Sequence, residues 1–99
     1  MSEILEESKV EQVDVKFDIT INQVYIQIYH ANKGQGIQRH EHGVAHATMC
    51  HAGKIRITKQ GVSLDMTKND RPVMLAGNSW HEIEALEDGT VFVNIFGAK

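Results

Sequence analysis

Apolar residues in this chain come in short runs that alternate with polar ones, and Gly, Asn or Asp breaks the runs about every 8 to 12 residues. Helices that pack through a 3.6-residue stripe need longer uninterrupted segments, so this punctuation restricts the chain to short strands and tight turns. The clearest alternation runs from Val13 to Ile21. Val13, Val15, Phe17, Ile19 and Ile21 are apolar and Asp14, Lys16, Asp18 and Thr20 fall between them, which predicts a half-buried strand. Val24 to His30 is β-branched or aromatic at most positions, the mark of a central strand covered on both faces. Gln38–His42 and Val44–Cys50 read as two strands bent at Gly43. Ile55–Thr58 and Val62–Met66 flank a turn at Gln60-Gly61, and Pro72–Leu75, Trp80–Ala85 and Val91–Phe96 follow. The pattern predicts an all-β fold of eight or nine strands, a sandwich or barrel.

The 99 residues suffice for one domain with one modest core. Residues 1–9 are acidic and aperiodic and predict a flexible N-terminal arm, leaving 10–99 as the single domain. A net charge of -3 offers no basic field for a phosphate backbone, which argues against nucleic acid as partner. No apolar run reaches the length of a membrane span, and the acidic start lacks the basic and apolar regions of a signal peptide. With Cys50 the only cysteine, no intrachain disulfide can form, and the sequence predicts a cytoplasmic protein with no membrane partner.

Six histidines are many for this length, and four of them lie between His40 and His51. On an extended strand His40 and His42 point to one face, so two imidazoles converge. A bend at Gly43 lets His46 open the next strand facing back toward them, and a distant residue such as His81 can close the set across the sheet. His42 and His46 are also four apart, as in the helical His-Glu-x-x-His of zinc proteases. That reading fails on two grounds: Gly43 stands where the general base should be, and Gly43-Val44 is a poor helix former. His30 and His51 stand outside the pattern and read as ordinary residues.

The arrangement resembles the cupin family. Gly34, five residues, His40-Glu41-His42, three residues, His46, six residues and Gly53 reproduce the spacing of its first motif, with His46 where most relatives carry glutamate. The second motif falls on Asp70, Ala76, Asn78, His81 and Ala85 and retains only His81, although Asn78 can take the left-handed turn conformation that glycine supplies there. A subset of small cupins with four histidine ligands is more similar still. The resemblance implies a double-stranded β-helix of jelly-roll type and a divalent transition metal on His40, His42, His46 and His81. Iron or manganese is favoured by resemblance alone, while nickel, copper and zinc also accept imidazole.

Four neutral imidazoles leave the ion's charge uncompensated, which predicts a small, anionic ligand or substrate. Strand alternation puts Gln38 beside His40 and His42, Thr48 and Cys50 beside His46, and Ile83 beside His81 as pocket lining; no catalytic residue is assigned. Two functions remain open from sequence. One is a metal-dependent oxygenase acting on a small organic acid or other chelating metabolite; the other is a non-catalytic module that binds a metal or small ligand. The length of the Val13–Ile21 strand, with an edge free to pair, predicts a homodimer.

Overall fold

In the computed structural model, which describes residues 8–97, turns fall close to the predicted Gly and Asn positions and separate ten strands. These are β1 (Glu11–Gln12), β2 (Phe17–Ile21), β3 (Val24–Ala31), β4 (Gln35–His42), β5 (His46–Ala52), β6 (Lys54–Lys59), β7 (Val62–Thr67), β8 (Val73–Leu75), β9 (Ser79–Ala85) and β10 (Thr90–Phe96). The β2–β3 hairpin turns on Asn22 (φ 47°) and Gln23 (φ 72°), and β6–β7 on Gln60 (φ 45°) and Gly61 (φ 86°). Both central residues are left-handed in each, the geometry whose twist matches a two-residue hairpin. Asn78 is left-handed as well, at φ 60°.

Five strands make one sheet in the order β1-β4-β9-β6-β7, and five make a second in the order β2-β3-β10-β5-β8. From β3 onward the chain changes sheet at most of its turns, so the two sheets wind together as a double-stranded β-helix. Gly53 takes one of these corners at φ 75°, where an added Cβ would run into Thr90. The inner faces meet in a single core. Ile55, Ile83, Ala85 and Phe92 are completely buried there, and Tyr29 stacks on Phe92 with ring centroids 4.9 Å apart. Burying an aliphatic or aromatic side chain of this size stabilises the fold by about 1.5–3 kcal/mol.

Two expectations change. Val13–Ile21 is not one half-buried strand: the chain breaks after β1, Val13 and Val15 pack against the core, and every residue of β2 is exposed. The physical reason is position, because β2 is an edge strand that pairs only with β3. Nor is Val24–His30 covered on both sides; Tyr29 is buried inward while His30, on the other face, is exposed. Of the predicted N-terminal arm, residues 1–7 lie outside the described residues, and Ser8 Oγ approaches Glu82 Oε1 at 3.4 Å. The described residues contain no helix, and so none long and apolar enough to cross a membrane.

Candidate functional site

The histidines meet because of a defect in strand pairing. Along β4 and β9, Ile37 lies opposite Ile83 and His40 opposite His81, with a register shift between the two pairs. Gln38 and Arg39 therefore stand against Glu82 alone, a β-bulge of one extra residue. Strand faces alternate with period 2, so without the bulge an inward Ile37 would send His40 outward; the extra residue reverses the parity. His40 thus turns in beside His81, with ring centroids 4.4 Å apart and planes at 73°.

After β4 the chain crosses to the other sheet, where His46 is the first residue of β5. It faces His81 across the interior, Nε2 to Nε2 at 3.3 Å. His46 is 2% and His81 1% exposed. The structure so gathers His40, His46 and His81 from three strands. The His42 backbone ends β4 opposite Ser79, while its side chain lies outside the described set. Residues 42–46 form no helix, which disposes of the zinc-protease pattern.

Hydrogen bonds fix which nitrogen carries the proton on His46 and on His40. His46 Nδ1 lies 3.4 Å from the Ala47 carbonyl and 3.2 Å from Thr48 Oγ1. A carbonyl can only accept, so Nδ1 is the protonated nitrogen and Nε2 presents its lone pair toward His81. Thr48 then gives its own proton to Asn94 Oδ1 at 2.7 Å, in a fully buried position. His40 Nδ1 likewise donates to the Gln38 carbonyl at 2.9 Å.

Both rings thus hold the tautomer that a metal ion requires of a histidine ligand. Among the described residues, no three His, Cys, Asp or Glu side chains already form a metal-holding group. The His46–His81 pair does fit one. Two ring nitrogens bound to one ion at about 2.0–2.1 Å lie roughly 2.8–3.4 Å apart across octahedral and tetrahedral edges, and the 3.3 Å observed falls in that span.

Beside the rings lies an open cavity of about 440 Å³ whose wall includes His40, His46, Gln38, Tyr29, Asn94 and Phe96. Of the predicted lining residues only Gln38 is in this wall. Thr48 stands behind His46, and Cys50 and Ile83 are in the core, 1% and 0% exposed. Burial pushes the Cys50 thiol above its ordinary range, with Glu87 and Asp70 adding to the effect, so it stays a protonated core group. Burial foremost also raises the Tyr29 hydroxyl, which donates to Gln27 Oε1 at 3.1 Å.

Gln12, Gln27 and Asn94 complete a wall without a single carboxylate. Sequence reasoning missed Gln27 and Asn94, which pair directly across β3 and β10. The available signal was a lone carboxamide at an inward position of each apolar strand. On the outer side of the sheet that holds β4 and β9, the Arg39 guanidinium stacks 4.4 Å over Trp80 and reaches Glu82 at 3.4 Å.

No protein-family model and no curated protein matches the chain. Solved structures do. An RmlC-like cupin family protein with a double-stranded β-helix fold from Methanocaldococcus jannaschii superposes with a TM-score of 0.70 at 14% identity, over 97% of this chain and 94% of that one. A cupin superfamily protein from Desulfitobacterium hafniense gives 0.69 at 14% identity, over 88% and 83%. A cupin protein from Bacteroides fragilis gives 0.69 at 17%, over 95% and 86%. At these identities the likeness establishes architecture: the chain has the double-stranded β-helix fold of small cupins.

Proposed function

We propose that this chain is a metal-binding small cupin that holds a divalent transition metal on His40, His42, His46 and His81 and acts as a metal-dependent oxygenase on a small organic acid or other chelating metabolite. The observation that carries the reading is the pair of buried imidazoles with facing Nε2 atoms 3.3 Å apart. Burial strips water from both ring edges, which hydrogen-bond to one another instead, and a bound ion would take the place of the shared proton. His42 enters from the motif spacing alone. Iron or manganese bound there would supply Lewis acidity and a redox couple; nickel, copper or zinc are the other ions imidazole suits.

The chain's own groups set the rest. His40 and His46 offer Nε2 because their Nδ1 protons are committed to Gln38, Ala47 and Thr48. A cavity of about 440 Å³ lies within the range of about 300–1,000 Å³ that small-molecule pockets occupy. Its carboxylate-free wall suits an anionic ligand. Cytoplasmic placement belongs to the same reading and rests on the sequence, whose single cysteine, Cys50, calls for no oxidising compartment. The same wall lacks any Asp or Glu to act as general acid or base, and that favours a second reading, a non-catalytic module for a metal or small ligand.

Elemental analysis of untagged protein, with calorimetric titration by manganese(II), tests the site. One ion per chain, lost in His46→Ala, is expected; no stoichiometric ion under any loading overturns it. Oxygen uptake by iron-loaded protein with a panel of small carboxylic acids then separates the readings, since a loaded protein with no turnover is the binding module.

A further inference from the structure

Four carboxamides line the cavity, and they fall into two kinds. Gln12 and Gln38 are taken up by the fold. Gln12 Oε1 accepts from the Gln38 backbone N–H at 2.8 Å, Gln12 Nε2 donates to the Val13 carbonyl at 2.9 Å, and Gln38 Nε2 donates to the Val10 carbonyl at 3.1 Å. Gln27 and Asn94 are engaged at the oxygen only. Tyr29 donates to Gln27 Oε1 at 3.1 Å and Thr48 to Asn94 Oδ1 at 2.7 Å. Among the described residues neither amide NH2 group has a protein partner. The two residues are direct neighbours across β3 and β10, and Thr48 of β5 extends the same inward row. Opposed side chains of this kind have Cβ atoms about 4.5–5.5 Å apart, so both NH2 groups can close on one ligand group.

The direction of Asn94 is set from the histidine end. His46 gives its Nδ1 proton to Thr48, whose single hydroxyl proton then needs the Asn94 oxygen. A flipped amide would set donor against donor. Asn94 is 3% exposed, so its Nδ2 is a buried donor that only the contents of the cavity can satisfy. Tyr29 and Phe96 place aromatic rings in the same wall. Asp18 continues the row on β2, but it is exposed, takes the Tyr25 hydroxyl at 3.0 Å and is no part of the wall. Asp14, whose charge reaches Tyr29, is exposed and outside the wall as well.

We propose that Gln27 and Asn94 form a carboxylate clamp, in which two N–H donors hold the acid group of an organic acid and leave the histidine end for another part of the molecule. The proposal rests on the reading of this cavity as the ligand site. An ionised carboxylate only accepts hydrogen bonds, and bonds to it from neutral donors are charge-assisted. An amine or amide in its place brings N–H groups against the N–H groups of the clamp, and the bonds lost set the preference. Gln27 and Asn94 are on this account the residues that determine specificity, and the ligand class is a carboxylic acid with an apolar or aromatic body.

Benzoate, benzamide and benzylamine share a ring and differ in the group they offer to the clamp. Calorimetric titration of the purified protein, before and after treatment with EDTA, should give benzoate a Kd below about 10 mM and the other two at least about tenfold weaker binding. Gln27→Glu keeps the oxygen that faces Tyr29 and puts a negative oxygen where the NH2 group was. It should weaken benzoate at least about tenfold and make benzylamine the preferred ligand, a reversal that a merely structural role would not produce. Asn94→Asp should act in the same way, and Gln27→Glu, at a half-buried position, decides the matter if Asn94→Asp does not fold. No benzoate binding, equal binding of the three compounds, or a folded Gln27→Glu protein with unchanged preference overturns the proposal. Benzoate binding that disappears with EDTA puts the acid group on the ion and overturns it too. Benzoate selectivity in a protein found to hold no metal under any loading supports the clamp and refutes the metal reading alone.

Discussion

Replacing Thr48 by valine keeps the shape of a fully buried side chain and deletes one hydroxyl. That hydroxyl accepts from His46 Nδ1 at 3.2 Å and donates to Asn94 Oδ1 at 2.7 Å, so its loss acts at two levels. Asn94, 3% exposed, is left with a buried acceptor lacking its donor, which costs about 1–3 kcal/mol of folding stability. His46 Nδ1 is left with the longer, 3.4 Å contact to the Ala47 carbonyl. Its ring is then poorly oriented, and removal of such an outer hydrogen bond typically weakens metal binding about 10–100-fold, or about 1.4–2.7 kcal/mol. Urea denaturation of metal-free protein measures the first effect and manganese(II) calorimetry the second. Thr48→Ser restores the hydroxyl and should recover most of the affinity. Unchanged affinity in Thr48→Val, alongside lost binding in His46→Ala, would refute the claim that this hydrogen-bond chain sets the His46 tautomer.

Three further outcomes follow from the packing. Phe92→Ala removes a ring that is completely buried and stacked on Tyr29, and should cost about 3–5 kcal/mol in urea unfolding. Gly53→Ala forces a left-handed residue to carry a Cβ that runs into Thr90; a loss of at least about 1–2 kcal/mol in the same assay is expected from the backbone alone. Cys50, whose thiol burial raises above the ordinary value of 9.0, should resist alkylation in the native state at pH 8 and react once urea unfolds the chain. Above about pH 9 the unfolded thiol ionises first. The Cys50 contribution to stability is therefore complete below that pH and shrinks as pH rises through the folded value, whereas Cys50→Ala should abolish that part of the alkaline decline.

The fold was largely written in local pattern. Turn residues sit where strands must end, and the apolar positions of Ile55–Ile57, Ile83–Ala85 and Phe92 sit where strands pass through the core, because backbone preference and period-2 alternation are properties of neighbouring residues. The histidines were legible too, through their spacing to Gly34 and Gly53. Neither the bulge at Gln38-Arg39 nor the burial of Cys50 and Ile83 away from the cavity could be read that way. Register is a relation between β4 and β9, set by which pairing buries the better surface, and no single strand carries that information.

β2 makes the same point in reverse. Its alternation of Phe17, Ile19 and Ile21 with polar residues gives the signature of a half-buried strand, yet all five residues are exposed. Alternation says that one face avoids water; only the sheet order says whether this chain's own core or another surface provides the cover. Sequence by itself therefore determined the strands, the turns and the identity of the clustered imidazoles. Tertiary structure decided which face each strand turns inward, and with it the meeting of His40, His46 and His81, since the long-range pairing that fixes parity forms only when distant segments are brought together.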